Sequence, residues 1–377
     1  MIYLDNAATT FPKPKEVYDA LDKANRELAF NAGRGSYKGA SAATKVIEDT
    51  RLKLGKLYNC RTSDKVVISS SATEALNQIL RGLPLSENAI VYISPYEHNA
   101  VVRTLHDIHK KKGIEIRLLP LNNDLTIDIE QTKYLFSVDK PELVVCSMVS
   151  NVTGYILPIE EIFLEAKKYD MYTVVDAAQA AGLLDIDMTR LNADIVCFAG
   201  HKSLNGPLGV AGFVINDAVA LDTVYTGGTG SDSLNLEMPL TVPKRYEASS
   251  KNIVAIAGLK ASLDILDPQT HYEKLKELTD YLYDSLSNIP TVRVYGSYPP
   301  EQRICMVSFV VEGYLSEDVG TILNDEFDIA VRTGYHCAPY IHEYLNDGQS
   351  GGTIRASLGL FNTKEDIDGL IDAISTL

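Results

Sequence analysis

Two short hydrophobic runs in the middle of the chain, residues 172–175 and 195–198, stop abruptly at polar residues. Asp176 closes the first and Lys202 follows the second. Apolar, β-branched runs of this length read as buried strands of a parallel sheet. Ligands of open α/β sheets collect beyond the carboxyl ends of the strands, so a carboxylate and an amine are expected to face one crevice. A buried Asp–Lys ion pair would account for both residues without any ligand. Pyridoxal phosphate would also account for them, because its aldehyde condenses with a lysine amine while an acidic side chain keeps its ring nitrogen protonated. A second reactive group comes near the other end of the chain, where Cys337 lies in a glycine-containing loop between Arg332 and Pro339. Most free cysteines are small buried hydrophobes, and Cys146 and Cys197, inside apolar runs, fit that description. Cys337 does not: Arg332 and His336 stand close by in sequence as cations that would favour a nucleophilic thiolate.

The elements that must position these groups alternate as strand and helix. Residues 66–68 read as a strand that turns at Ser69 into a helix, with Ser71 and Glu74 spaced as a capping box. The same turn aims free N–H groups and a positive dipole end beyond the strand, which suits a phosphate. Residues 90–93, 114–119, 143–147 and 210–215 supply further strands of a large, mainly parallel sheet of seven strands. His98 follows the first of these, and Asn151, in Ser150-Asn151-Val152-Thr153-Gly154, follows the third. A loop histidine or a turn asparagine needs no catalytic role to explain it. Ahead of the sheet, residues 1–10 read as a strand and a turn, 16–28 as a helix, and 31–39, with three glycines, as a mobile loop. Residues 225–231, a Gly-Thr-Ser cluster holding Gly228 and Thr229, fit either a flexible loop or an anion nest. A long, interrupted helical region (253–286), strands at 292–295 and 304–311, and an amphipathic helix at 315–327 form an α+β lobe, and 329–331 leads into the stretch that begins at Arg332. The expected division is a large α/β domain over 15–250 and a smaller domain of 1–14 with 251–377.

Four stretches resemble one family. D-A-A-Q from Asp176, A-G-H-K to Lys202 with the G-P-L-G-V-A-G after it, T-E-A-L-N from Thr73, and R-x-G-x-H-C-A from Arg332 are similar to aminotransferase class V enzymes of fold type I. The last motif resembles the group II cysteine desulfurases. The resemblance implies a pyridoxal 5′-phosphate enzyme in which Lys202 bonds the cofactor, Asp176 meets its ring nitrogen, Gln179 its hydroxyl and His201 its phosphate. It implies that His98 stacks on the ring and moves protons, that Ala72 and Thr73 cup the phosphate, and that Asn151 faces ring and substrate. In L-D-N-A-A-T-T, Ala8 lines the pocket, and Arg355, in R-x-S-L, holds the substrate carboxylate with Arg332 nearby. Gly228 and Thr229 would close over the phosphate of the other subunit in a homodimer. The implied reaction converts L-cysteine to L-alanine and leaves the sulfur as a persulfide on Cys337, for delivery to an acceptor protein. The chain departs from the family pattern at Ala199, where a serine is common, at Tyr37, where a histidine is common, and at Ser249 and Ser250, in place of Gly-Thr. If the missing glycine had positive φ, the loop path should differ.

Acidic residues outnumber basic ones by 50 to 35, leaving a net charge of −15 that disfavours nucleic acid as a partner. The first residues lack the pattern of a signal peptide and no stretch reaches the ~20 apolar residues of a membrane span, so a cytoplasmic location is expected. Five scattered cysteines without CxxC spacing argue against a disulfide framework and against a zinc site. Selenocysteine lyase, another class V lyase or aminotransferase, a thiol hydrolase and a non-catalytic sulfur-transfer scaffold are the rival readings. Nothing in the sequence selects among iron–sulfur cluster assembly, tRNA thiolation or another destination for the sulfur.

Overall fold

The computed structural model describes residues 1–377 apart from Arg34, Arg61 and Asp232. Its strands, in chain order, are β1 (Ile2–Tyr3), β2 (Val66–Ser69), β3 (Ile90–Ile93), β4 (Glu115–Leu118), β5 (Leu143–Ser147), β6 (Tyr172–Asp176), β7 (Ile195–Ala199) and β8 (Ala211–Ile215). They continue as β9 (Val292–Val294), β10 (Met306–Val311), β11 (Ile329–Ala330), β12 (Arg332–Gly334) and β13 (Thr353–Ser357). The helices are α1 (Lys15–Glu27), α2 (Lys38–Leu57), α3 (Ala72–Gly82), α4 (Asn99–Lys112), α5 (Ile129–Asp139), α6 (Ile159–Ala166), α7 (Ile253–Ile265), α8 (Pro268–Ser287), α9 (Ser316–Phe327), α10 (Ile341–Leu345) and α11 (Lys364–Ile374).

Strands β2 to β8 form a seven-stranded sheet in the order β2-β8-β7-β6-β5-β3-β4. Only β8 runs against its neighbours, pairing antiparallel with both β2 and β7. Alternate residues feed two separate cores. Val144, Cys146, Val175, Val196 and Phe198 face one, whereas Leu143, Val145, Val174, Ile195 and Cys197 face the other. Helices cover both faces, which is why these strands read as continuous apolar runs rather than as alternating ones. A smaller antiparallel sheet, β12-β13-β10-β9, follows α8, and the N-terminal β1 pairs in parallel with β11 beside it. The first residues of the chain thereby lie against its last third. Among the described residues no helix is long and apolar enough to cross a membrane.

One local expectation is corrected. The glycine-containing segment 31–39 does not stay a loop to its end, because α2 begins at Lys38. Its buried Ala40, Ala43, Ile47 and Leu54 carry a helical spacing that the neighbouring glycines obscure. The interruption expected within 253–286 falls between α7 and α8, at Asp267, whose side chain caps α8 through the Thr270 N–H with Pro268 as the first helical residue. Ile329–Ala330 form β11 and β12 begins two residues later at Arg332, and the two strands pair with different partners.

Candidate active site

A cavity of about 230 Å³ lies beyond the carboxyl ends of β5, β6 and β7, and Asp176 and Lys202 both line it. Alanines at 7, 8, 72, 100, 178 and 199 form much of its wall and leave room for a flat ring. Register places Asp176 beside Ser147 of β5 and Cys197 of β7. Asp176 Oδ1 accepts the Ala178 N–H at 2.9 Å, and burial raises its pKa against the pull of that bond and of Lys202. Burial pushes the Lys202 amine down to about 8, with Asp176 opposing and Arg355 and Arg332 assisting. The two expected charges therefore do share one pocket, and the amine is close to losing its proton.

Each remaining wall is held by its own local chemistry. Ser71 caps α3 by accepting the Glu74 N–H at 3.1 Å. The reciprocal half of the expected box is displaced by one residue, since Glu74 takes the N–H of Ser70 rather than that of Ser71. Ala72 and Thr73, the first helical residues, present the amino end of α3 to the cavity. His98 caps α4, its Nδ1 accepting the Ala100 N–H at 3.0 Å, so the neutral ring carries its proton on Nε2. Burial and then the nearby cations Lys202 and Arg332 lower its pKa to about 4. His201 is likewise held near 4 by burial, and its buried Nδ1 has no hydrogen-bond partner. The N-terminal segment is fastened over this histidine: the hydroxyls of Thr9 and Thr10 and the Lys13 ammonium all donate to the His201 carbonyl. Gln179 Nε2 donates to the Ala7 carbonyl at 3.0 Å. Ala8 reaches the cavity through this fastening.

Two arginines close the pocket from the smaller sheet. Arg332 of β12 and Arg355 of β13 are direct cross-strand partners, and both line the cavity. Like charges placed opposite one another weaken a sheet, so the pair marks a place built to receive an anion. Arg355 is 0 % exposed; its Nη2 donates to Asp5 Oδ1 at 2.8 Å and its Nη1 to the Asn151 carbonyl at 2.7 Å. Its Nε has no partner. The Asn151 side chain also lines the cavity, but its amide donates to the His336 carbonyl at 2.6 Å, so it fixes the cysteine loop as well.

Cys337 sits on that loop. Its carbonyl accepts the Asn99 N–H at 2.7 Å, and Arg332 Nη2 donates to its sulfur at 3.1 Å. His336 and Cys337 take consecutive left-handed conformations, φ 45° and 62°, and Gly334 ahead of them has φ 93°. The thiol opens into a cleft of about 720 Å³ that Arg332 also lines, so a single guanidinium borders both spaces. The expectation of two cationic neighbours is half corrected: His336 is buried, and desolvation drives its pKa far below the ordinary range, leaving it neutral. Cys146, Cys197 and Cys305 are buried thiols whose pKa burial raises.

Other expected residues lie apart. Gly228 and Thr229 border a cleft formed by their own segment and not the Asp176 cavity. Tyr37 is 52 % exposed, against Phe30. Ser249 keeps φ 90°, so its loop retains a glycine-like path and serine absorbs the strain, contrary to the expected change of course. Sequence reasoning missed Glu97, the neighbour of His98, which is fully buried. Its carboxylate receives the Ser94 hydroxyl and both the N–H and hydroxyl of Ser147, and burial still raises its pKa to about 8. The missed signal is a charged residue between a strand and its helix, where a solvated turn would have been the ordinary reading.

A family model for class-V aminotransferases matches residues 2–370. The chain belongs to this family. Among class V relatives, a probable cysteine desulfurase of Halalkalibacterium halodurans is 33% identical, over 98% of this chain and 91% of its own length. A cysteine desulfurase of Salmonella agona is 30% identical over 100% and 93%. The apo structure of a cysteine desulfurase from Thermococcus onnurineus NA1 superposes with a TM-score of 0.92 at 27% identity, covering 99% of this chain and 94% of that one. A cysteine desulfurase from Escherichia coli, crystallised as an S-sulfonic acid, gives 0.87 at 26% identity, covering 100% and 94%. The class V cofactor is pyridoxal phosphate, and the cavity's donors fit it. They comprise a lysine amine depressed toward neutrality, a buried carboxylate, a helix amino end and an unpartnered histidine nitrogen.

Proposed function

We propose that the protein is a pyridoxal phosphate-dependent cysteine desulfurase, converting L-cysteine to L-alanine and taking the sulfur as a persulfide on Cys337. The observation that carries this reading is Arg332, which lines the cavity of Lys202 and donates to the sulfur of Cys337 at 3.1 Å. Lys202, Asp176, Gln179, His201, His98, Ala72, Thr73 and Asn151 would hold the cofactor. When bound, it supplies an electron sink for the carbon that loses its proton.

The protein's own groups do the rest. Arg355, oriented by Asp5 and the Asn151 carbonyl, offers its unpartnered Nε edge to the substrate carboxylate. Lys202 Nζ, its pKa lowered by burial to about 8, is the amine that accepts the α-proton from its neutral form, a form that burial makes accessible near neutral pH. His98, which lines the cavity as the neutral Nε2–H tautomer, is suited to proton exchange, and a negative phosphate nearby would raise its basicity. The Cys337 thiolate, held by Arg332, attacks the substrate sulfur. The carbon–sulfur bond breaks, a sulfur–sulfur bond forms, and the carbon retains the electron pair and takes a proton to become alanine.

A homodimer in which Gly228 and Thr229 complete the partner's phosphate site is supported by the exposure of their segment, where Leu234, Leu236 and Leu240 are 97%, 99% and 81% exposed. The division into 15–250 and 1–14 with 251–377 belongs to the same reading, with the smaller part carrying the thiol to the amine. Five unpaired cysteines agree with a cytoplasmic location. The sulfur then passes to an acceptor protein, with iron–sulfur assembly as one destination.

The test is a visible spectrum of the loaded protein with and without L-cysteine, followed by mass analysis of Cys337. The expected result is one added sulfur on Cys337 and one alanine per site. Cys337→Ala should keep the cofactor absorbance and form no persulfide. Sulfide release by that variant at the wild-type rate, without added reductant, would refute the reading.

A further inference from the structure

The cleft outside Cys337 contains a second set of groups that the persulfide-forming step does not use. His342 and Asp347 are buried, 6% and 2% exposed, and His342 Nδ1 lies 2.5 Å from Asp347 Oδ2. A carboxylate there accepts from Nδ1–H, which fixes the tautomer and leaves the lone pair on Nε2. That Nε2 has no partner, nor do Asp347 Oδ1 and His336 Nδ1. The ring centroids of His336 and His342 are 6.0 Å apart. Buried polar atoms are rarely left unmatched, so three in one place indicate a site that water or a reacting group completes. Both histidines, Asp347 and Cys337 line the same cleft.

From this juxtaposition we infer that His342, oriented by Asp347, is the base that deprotonates the thiol removing sulfur from Cys337. The inference rests on the desulfurase reading and concerns its second half. The acceptor thiol gives its proton to His342 Nε2 and the resulting thiolate attacks the outer sulfur of the Cys337 persulfide. The sulfur–sulfur bond to Cys337 breaks, a new one forms on the acceptor, and Cys337 leaves as a thiolate beside Arg332. No oxidant or reductant enters beyond the acceptor thiol itself. His342 is then a catalytic residue of the transfer step and Asp347 a positioning residue. The charged and titratable groups around the pair are Arg103 from α4, Arg332 from β12, the loop residues Tyr335, His336 and Cys337, Glu343 from α10, and Arg293 and Tyr295 from β9 and its end, Tyr295 lying near Asp347.

The experiment loads the holoenzyme with L-cysteine, removes the excess, and follows loss of the Cys337 persulfide by mass spectrometry. Two thiol probes are used: dithiothreitol, protonated at neutral pH, and 5-thio-2-nitrobenzoate, already ionised. His342→Gln and Asp347→Asn should slow the dithiothreitol reaction at pH 7, the first by about a hundredfold, the low end of what a positioned base contributes. Their rates should then climb with thiol ionisation, about tenfold per pH unit, whereas the wild type levels off. The ionised aromatic thiol should react at the wild-type rate in both variants. Equal slowing with both probes would mean a purely structural pair and overturn the inference, as would no slowing with either. A wild-type protein that forms no persulfide would overturn the desulfurase reading first; persulfide formed and discharged normally by His342→Gln would overturn this one alone.

Discussion

The cavity around Lys202 and the cleft around Cys337 share Arg332 and little else. None of the cavity's residues has positive φ, and its functional groups stand at strand ends or in the turns just beyond them, in the first turn of α3, at the cap of α4 or, for Arg355, in the middle of β13. The cleft is built from a loop in which Gly334, His336 and Cys337 are all left-handed, and it leaves three buried polar atoms unmatched. The cavity is organised to hold one object still, and the cleft to present one atom to a changing set of partners. The loop is nonetheless anchored by Asn99 of α4 and Asn151 in the turn after β5, so that the half-buried sulfur borders the cleft without being free to wander.

The comparison breaks most plainly if the two regions fail to separate by mutation. Lys202→Ala should abolish covalent cofactor attachment, seen as loss of its visible absorbance, and with it all persulfide formation, while melting within a few degrees of the wild type. Gly334→Ala should do the reverse. The added methyl meets nothing within 4 Å, so the substitution imposes only the cost of an L-residue at φ 93°, about 1–3 kcal/mol. The expected outcome is unchanged absorbance with slower persulfide formation in a rapid-quench assay, because the strain relaxes through the cysteine loop. Loss of cofactor in Gly334→Ala would mean that the two regions are one mechanical unit.

The same contrast decides what could be read from the sequence. The strands, the sheet's seven members and the Asp176–Lys202 pair were legible because burial on both faces leaves a local trace, an apolar run ended by a charge. Arg332 and Arg355 were legible as types, but their cross-strand pairing depends on a register between residues 23 positions apart. The half-displaced cap at Ser71 and the neutral state of His336 follow from neighbours that no local pattern encodes. His342 and Asp347 lie five residues apart, a spacing with no periodic meaning outside a helix, and only the fold makes them partners. Helix α2 was legible in principle, and its flanking glycines hid it.

Acid sharpens the contrast at intermediate size. His98 and His201 have folded pKa values near 4 against an ordinary 6.5. Between those values the unfolded chain binds protons that the folded chain refuses. The stability is therefore fully present above about pH 6.5 and declines as pH falls toward 4, by about 1.4 kcal/mol per unit for each histidine. Urea denaturation of cofactor-free protein at pH 7 and pH 5 should show this loss. Burial depresses the two cavity histidines most and nearby cations add to it; a bound phosphate would offset the cations, so the loaded protein should lose less, and equal losses would place the cofactor away from His98 and His201.

The smallest effect is expected at Ser249, outside both regions. A serine at φ 90° carries strain that glycine would not, while glycine loses more backbone freedom on folding, and the two terms leave a net gain of about 1 kcal/mol for Ser249→Gly. The urea midpoint should rise at constant slope. The persulfide assay discriminates further. If this loop serves only its own chain, rate and cofactor retention stay unchanged. If it helps shape the segment that reaches a partner's phosphate, relaxing it should alter cofactor retention in the dimer while leaving the Cys337 cleft untouched.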